Sequence, residues 1–478
     1  MSAPKRLDVN GSPPSYGMPR PYGRHDPSSL LRCDSLFSSA YDDRSVALLE
    51  RALRDVAFYR RWQPYDPGRG HSPGSRYAAM PVLTKQDLRE HALQDFVPRD
   101  RDLAQGLASG EVGLVTTSGT TDDSVTNVWN QQWWDASERA SWLLNAHAAA
   151  IATGDHREAI LTSALNVGYA SDDAALSLEQ RRLARLLFLN EKSTPLFWTP
   201  HLMDRMIREL DAFQPTVLEA NPSYLARLCR YAASCNREVY QPSLIVFTYE
   251  YPLALHVQQI QQIFKAPLVS SYGTTEVGYV FMECEVGHFH QNSEFCHVDF
   301  QPFTPEHGGP TLGRILVSTF NNPWYYVLRF DVGDLVRVDE SAPCSCGRDS
   351  GLILAAMEGR TKNVTFTCTG RAVTLRELDT TVSALVGIDE YQLLQTAPDA
   401  YRLHLVSQRA DRDTLTAEVS RSLHALYGRE ARLTIVFESA ITPEPSGKYC
   451  VAQTLFPTDV YALLDPRKAP NTGYGKPL

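Results

Sequence analysis

Long apolar runs are absent from this 478-residue chain. The longest candidates, such as Leu186-Leu187-Phe188-Leu189, are short and flanked by charge, and a bilayer span needs roughly 18 apolar residues. No membrane partner is therefore expected. Residues 1–28 are rich in Pro, Gly and Ser without an apolar core, so they read as neither signal peptide nor anchor. Positive charge is not in excess either. A formal charge of -9 gives no general attraction for nucleic acid or anionic lipid, although a local basic pocket for a phosphate remains open. Cysteine is sparse: nine residues, odd in number and without a dense framework, point to a reducing, cytoplasmic setting. Neither an internal repeat nor a Ser/His/Asp triad is found.

What remains is the balance of an ordinary soluble protein, 43% hydrophobic and 21% charged. The length accommodates two or three domains that fold without disulfides or metals. From about Gly113 short apolar runs alternate with helical patterns. Strands are expected at Leu114-Val115, Ala159–Leu161, Thr216–Leu218, Leu244–Phe247 and Leu268-Val269. Helices are expected over 136–151, 177–189, 223–233 and 255–264, with Leu202, Met206, Ile207 and Leu210 marking another. Such alternation predicts an α/β fold: a large layered N-terminal domain with mostly parallel sheets. After Gly359 the order changes to a small α+β unit, with helices over 375–385 and 415–426 and strands near 391–394, 401–406 and 433–437. The expected division is a mobile N-terminal segment 1–28, a large domain 29–358, a small mobile domain 359–465 and a flexible tail 466–478.

Three polar loops follow predicted strands, where ligands of such sheets bind. Thr116-Thr117-Ser118-Gly119-Thr120-Thr121 can turn several N–H and O–H donors toward phosphate oxygens. Ser271-Tyr272-Gly273-Thr274-Thr275-Glu276 combines a ring able to stack on a base, a glycine turn and a carboxylate able to meet Mg²⁺. Thr248-Tyr249-Glu250 is the third. Downstream, Arg329-Phe330-Asp331-Val332-Gly333-Asp334-Leu335 supplies a carboxylate suited to ribose hydroxyls. Pro445-Ser446-Gly447-Lys448 presents a lysine that would stabilise charge building on a phosphate. Taken singly, such segments are more often polar turns or solvated side chains.

Their order, with Gly359-Arg360-Thr361-Lys362-Asn363 between the last two, resembles the successive core motifs of the adenylate-forming superfamily. Met80-Pro81-Val82-Leu83-Thr84-Lys85-Gln86-Asp87-Leu88, Asn221-Pro222-Ser223-Tyr224-Leu225 and Cys344-Ser345-Cys346-Gly347-Arg348 resemble its phenylacetate–CoA ligase branch in particular. The resemblance covers about residues 50 to 456. It implies that Thr117, Ser118, Gly119, Thr120 and Thr121 cradle the phosphates of ATP. Tyr272 would stack on adenine beside Gly273 and Thr274, Glu276 would hold Mg²⁺, and Asp334 would bind ribose with Arg360 and Glu250 near the nucleotide. Lys448 would be the adenylation lysine, and Lys362 would lie where the small domain swings. Two departures fall on this site. Asp122-Asp123 follow the first loop where the family continues Gly-x-Pro, and Tyr249 stands where it commonly has a small residue.

Cys344-x-Cys346 is weak evidence for metal by itself, yet Cys284 and His290 upstream would complete a closed Cys₃His site. His288 is the alternative ligand, and free thiols the alternative reading. Some members of the resembled branch carry a structural Zn²⁺ there.

The leading functional expectation is an acid–thiol ligase. It would make an acyl-AMP from ATP and a small, aromatic carboxylic acid, then pass the acyl group to coenzyme A or to the pantetheine of an acyl carrier protein. Trp129, Trp133, Trp134, Tyr169 and Phe247 are candidate pocket aromatics. A transferase that moves an acyl group from acyl-CoA to a carrier protein, and a non-catalytic acyl-CoA or adenylate binder, are the alternatives. The oligomeric state stays open between monomer and homodimer.

Overall fold

The computed structural model describes residues 39–117, 124–152, 155–168, 170–339 and 343–466. Among these, twelve strands form one sheet. From one edge they run Cys296–Pro302, Leu312–Thr319, Phe330–Val338, Ile353–Arg360, Phe289–Gln291, Gly278–Glu283 and Leu268–Thr274. Leu244–Phe247, Val217–Ala220, Glu158–Leu161, Leu186–Phe188 and Arg182–Leu183 complete it. The strands between Leu186 and Ser270 pair in parallel, and those from Ser271 onward pair antiparallel. Leu268–Thr274 belongs to both halves, with a bulge between Tyr272 and Gly273.

The parallel half lies where strands and helices alternate in the sequence. Its strands are mostly apolar because helices cover both faces, with Glu158 and Glu219 as the charged exceptions. One face carries Leu218, Ala220, Ile245 and Phe247, packed under helices Pro200–Phe213, Pro222–Ser234 and Ala254–Ile263. The other carries Val217, Val246 and Val269, packed under Gln131–Trp142 and Ala146–Ala152. The helix expected over 136–151 is thus two helices. Asn145 breaks it by capping the second, its Oδ1 accepting from the amides of His147 and Ala148.

The helix expected over 177–189 is corrected. Only Leu178–Arg181 is helical, and the chain then turns through Ala184 at φ 52° into two short strands. Sheet edge beside Glu158–Ile160 outbids helix there, because Leu187 and Phe188 bury themselves as strand neighbours. Arg181 locks the turn, donating to the Phe188 carbonyl at 2.8 Å and pairing with Glu209 at 2.5 Å.

Beyond Arg360 a four-stranded sheet runs Arg432–Phe437, Ala400–Val406, Glu390–Ala397, Ala452–Thr454, covered by helices Leu375–Ser383 and Arg412–Tyr427. This unit docks on the large sheet's helices. Asp379 accepts from the Ala254 amide at 2.7 Å, Ser383 accepts from the Leu255 amide at 3.1 Å, and Arg230 pairs with Glu390.

Candidate active site

Asp334 and Arg360 are cross-strand partners on neighbouring antiparallel strands, so the sheet register itself brings them together. Arg360 Nε lies 3.4 Å from Asp334 Oδ1, and Tyr272 Oη donates to Asp334 Oδ2 at 2.8 Å. Burial pushes the Asp334 carboxyl up, while Arg360, the Tyr272 hydrogen bond and Lys85 pull it back. Lys85 reaches this point because Leu83 bridges the chain at Phe330, with its amide on the Arg329 carbonyl at 3.0 Å. Thr84 and Asp87 then form a capping box that starts the helix Lys85–Glu90. Lys85 was given no role from the sequence, although the segment around it was singled out.

Lys448 arrives from the four-stranded unit. Burial and the Arg360 cation push its pKa down, while Glu250 and Asp334 oppose them. Gly447 makes this approach possible. At φ 80°, an added Cβ would lie 2.6 Å from the Ser193 carbonyl oxygen and 2.7 Å from Tyr224 Oη. Tyr224 donates to the Gly447 carbonyl at 3.1 Å, and Glu250 accepts from the Tyr449 amide at 3.3 Å and from the Ser223 hydroxyl. Glu250 therefore clamps the lysine loop on both sides of the seam. Lys362 also holds this loop, its Nζ 3.1 Å from Glu444.

Glu276 is 5% exposed, and its Oε1 has no hydrogen-bond partner among the described residues; nor does Thr274 Oγ1. Oxygen donors left unpaired in this way suit a hard cation such as Mg²⁺. Thr117 bonds reciprocally with Val125, at 2.9 Å in each direction. Ser118, Gly119, Thr120 and Thr121, together with Asp122 and Asp123, lie outside the described residues. The cations Lys85, Arg360 and Lys448 gathered around Asp334 can meet a polyanion bearing hydroxyls.

No family model matches the chain. Among solved structures, 2-hydroxyisobutyryl-CoA ligase in the postadenylation state, in complex with R3-HIB-AMP, superposes with a TM-score of 0.65 at 15% identity. The match covers 92% of this chain and 96% of that one. The two chains share a fold. The same ligase with 2-HIB-AMP and CoA in the thioesterification state gives 0.52 at 17% identity, over 91% of this chain. Protein CapK of Staphylococcus aureus is 22% identical over 255 residues, 51% of this chain. The chain's match spans about half of that relative, 53% of its length.

Elsewhere in the structure, Cys284, His290, Cys344 and Cys346 place their ligand atoms within 4.8 Å of one another. Cys284 Sγ and Cys344 Sγ are 4.0 Å apart, and Cys346 Sγ lies 3.3 Å from His290 Nε2. A tetrahedral zinc with Zn–S bonds of about 2.3 Å separates its ligand atoms by much the same distances, so the donor set fits. His288 instead sits between Cys344 and Asp339.

The candidate aromatics divide. Phe247 faces the opposite side of the sheet, because strand alternation puts it with Ile245. Trp133 is a core residue packed on Gly278, its Nε1 donating to the Phe320 carbonyl at 2.8 Å. Trp129 and Trp134 stack at 4.1 Å and stay half-buried, and Tyr169 lies outside the described residues. Tyr249 adopts φ 69°, a left-handed turn where a side chain is strained, and its phenol hydrogen-bonds Glu219.

Proposed function

We propose that this chain is an AMP-forming acid–thiol ligase acting in the cytoplasm. The observation that carries the reading is Lys448, set by a glycine turn of the small unit against Asp334, Arg360 and Glu250 of the large one. A carboxylate oxygen of the acid attacks the α-phosphorus of ATP, and pyrophosphate leaves. Lys448 and Arg360 offset the charge that develops on the phosphate oxygens, which is worth most in a partly desolvated cleft. Asp334 accepts from the ribose hydroxyls, with Tyr272 fixing its carboxylate and the tyrosine ring beside the base. The Thr117–Thr121 loop and Lys85 bind phosphate oxygens. Glu276 and Thr274 would hold Mg²⁺, which supplies neutralising charge to the phosphates when bound.

In the second step a thiolate sulfur attacks the acyl carbon and AMP leaves with the bonding pair. The acceptor is coenzyme A or a carrier-protein pantetheine. Lys362, bonded to the lysine loop, is the proposed pivot at the junction of residues 29–358 and 359–465. Cys284, His290, Cys344 and Cys346 are proposed to hold a closed, structural zinc that ties together chain segments far apart in sequence. The placement of this chain in the phenylacetate–CoA ligase branch rests on its motifs.

Acid-dependent exchange of labelled pyrophosphate into ATP tests the proposal. Exchange with at least one acid is expected. Its absence, with acyl transfer from a supplied acyl-CoA to a carrier protein, would replace the ligase with a transferase.

A further inference from the structure

On three adjacent parallel strands the face beneath helix Gln131–Trp142 changes character toward the carboxyl ends, with Glu219 level with Val246 and Val269, and Thr248 and Ser271 further along. Val217, Val246 and Val269 share that face in one apolar cluster. Two residues on, strand alternation places Glu219, Thr248 and Ser271 on it, at the carboxyl ends where ligands of parallel sheets bind. Glu158 occupies the same face one row deeper, opposite Val217. Glu138 reaches down from the covering helix, and Tyr279 Oη donates to its Oε1 at 2.7 Å.

The hydrogen-bond balance of this cluster is one-sided. Thr248 donates to Glu219 at 3.1 Å, the Tyr249 phenol also bonds Glu219, and Tyr279 bonds Glu138. Each hydroxyl is already turned toward a carboxylate, so the remaining demand is for a donor. Ser271 Oγ also has no partner among the described residues, although Ser271 is only 8% exposed, so its hydroxyl is open to a ligand as acceptor or donor. The cations nearby offset this charge only in part. Arg185 lies against exposed Asp155 at 3.6 Å, and His156 lies 3.6 Å from Glu158. The half-buried ring of Trp134 lies inclined at 57° to Tyr279, centroids 5.1 Å apart, and adds a π face that favours a cation. Burial and the mutual repulsion of these carboxylates push Glu138 up to about 8 and raise Glu219, a cost that a bound cation would relieve.

This cluster is one residue away from the nucleotide site on two strands, since Tyr249 precedes Glu250 and Ser271 precedes Tyr272. We infer that it is the acyl pocket and that it selects a carboxylic acid carrying a protonated amine, with Glu138 and Glu219 as the counter-charges and Ser271 Oγ as a further acceptor. The inference rests on the proposed ligase function and names its substrate class.

The test is pyrophosphate exchange with matched pairs of acids: α-amino, ω-amino and aminomethyl-aryl acids, each beside the isostere in which methyl replaces the ammonium group. The arms identify which kind of amine is taken. One amine-bearing acid is expected to exceed its isostere by about 100-fold or more in kcat/KM, as a site built for hydrogen bonding discriminates. Glu138→Gln and Glu219→Gln, checked for native circular dichroism, are expected to raise KM for that acid by about tenfold or more while KM for ATP holds. Exchange that is equal within pairs, or better with the methyl isosteres, overturns the inference and leaves the ligase standing. Exchange with no acid at all overturns both.

Discussion

Tyr272 donates its phenol proton to Oδ2 of Asp334 at 2.8 Å, joining the strand where the parallel half of the sheet ends to one in the antiparallel half. The bond holds the carboxylate with one oxygen on tyrosine and the other near Arg360. Tyr272→Phe keeps the ring and removes this restraint. We expect KM for ATP to rise about three- to tenfold, in line with the net worth of one ordinary hydrogen bond. Asp334→Asn should cost more, because the ribose loses its ionised acceptor. Initial-rate exchange kinetics with ATP varied will measure both.

Gly447 is the hinge of the lysine's approach. A Cβ there meets backbone at 2.6 Å from Ser193, and the φ of 80° is costly for any L side chain. Gly447→Ala should therefore slow adenylation by about tenfold or more while sparing transfer from a supplied acyl-adenylate to a thiol. Equal loss in the two half-reactions would mean that the loop is not docked selectively for the first.

The cysteine cluster predicts one zinc per chain by elemental analysis. Cys346→Ser should lower zinc content and reduce Tm by on the order of 5 °C, since structural metal binding is folding free energy. Wild-type protein without zinc, and a variant that melts unchanged, would return these residues to ordinary thiols.

Glu138 makes a signed prediction about pH. Its pKa is raised from 4.5 to about 8 in the folded protein, first by burial. The folded state thus keeps a proton that the unfolded chain releases, and this group's contribution to stability falls as pH rises from about 4.5 to about 8. Glu138→Gln should melt close to wild type near pH 5 and above wild type near pH 8.5, by a few degrees (roughly). Melting curves across pH will show whether the gap opens upward as stated.

The sequence made the strand-end loops legible, because Gly, Thr, Ser and carboxylates punctuate apolar runs. It made the Asp334, Arg360 and Lys448 positions legible through motif order. What it left hidden depends on register and facing. Glu138, Glu158 and Glu219 come from separate elements, and only the sheet order and the covering helix converge them. Phe247 was a reasonable pocket candidate until alternation turned it to the far face. Lys85 carried no chemical signal in its own neighbourhood, since its place depends on a backbone bridge from Leu83 to Phe330. The apolar run after Arg181 has no period that separates a buried helix from two short strands, and sheet pairing decides it.

Lys448→Ala, compared with wild type in acid-dependent pyrophosphate exchange at matched circular dichroism, tests the central claim most directly. A loss of about 100-fold or more in kcat is predicted, with the binding of ATP little changed. Exchange that continues undiminished in the variant would show that this lysine does not serve the phosphate, and would contradict the account.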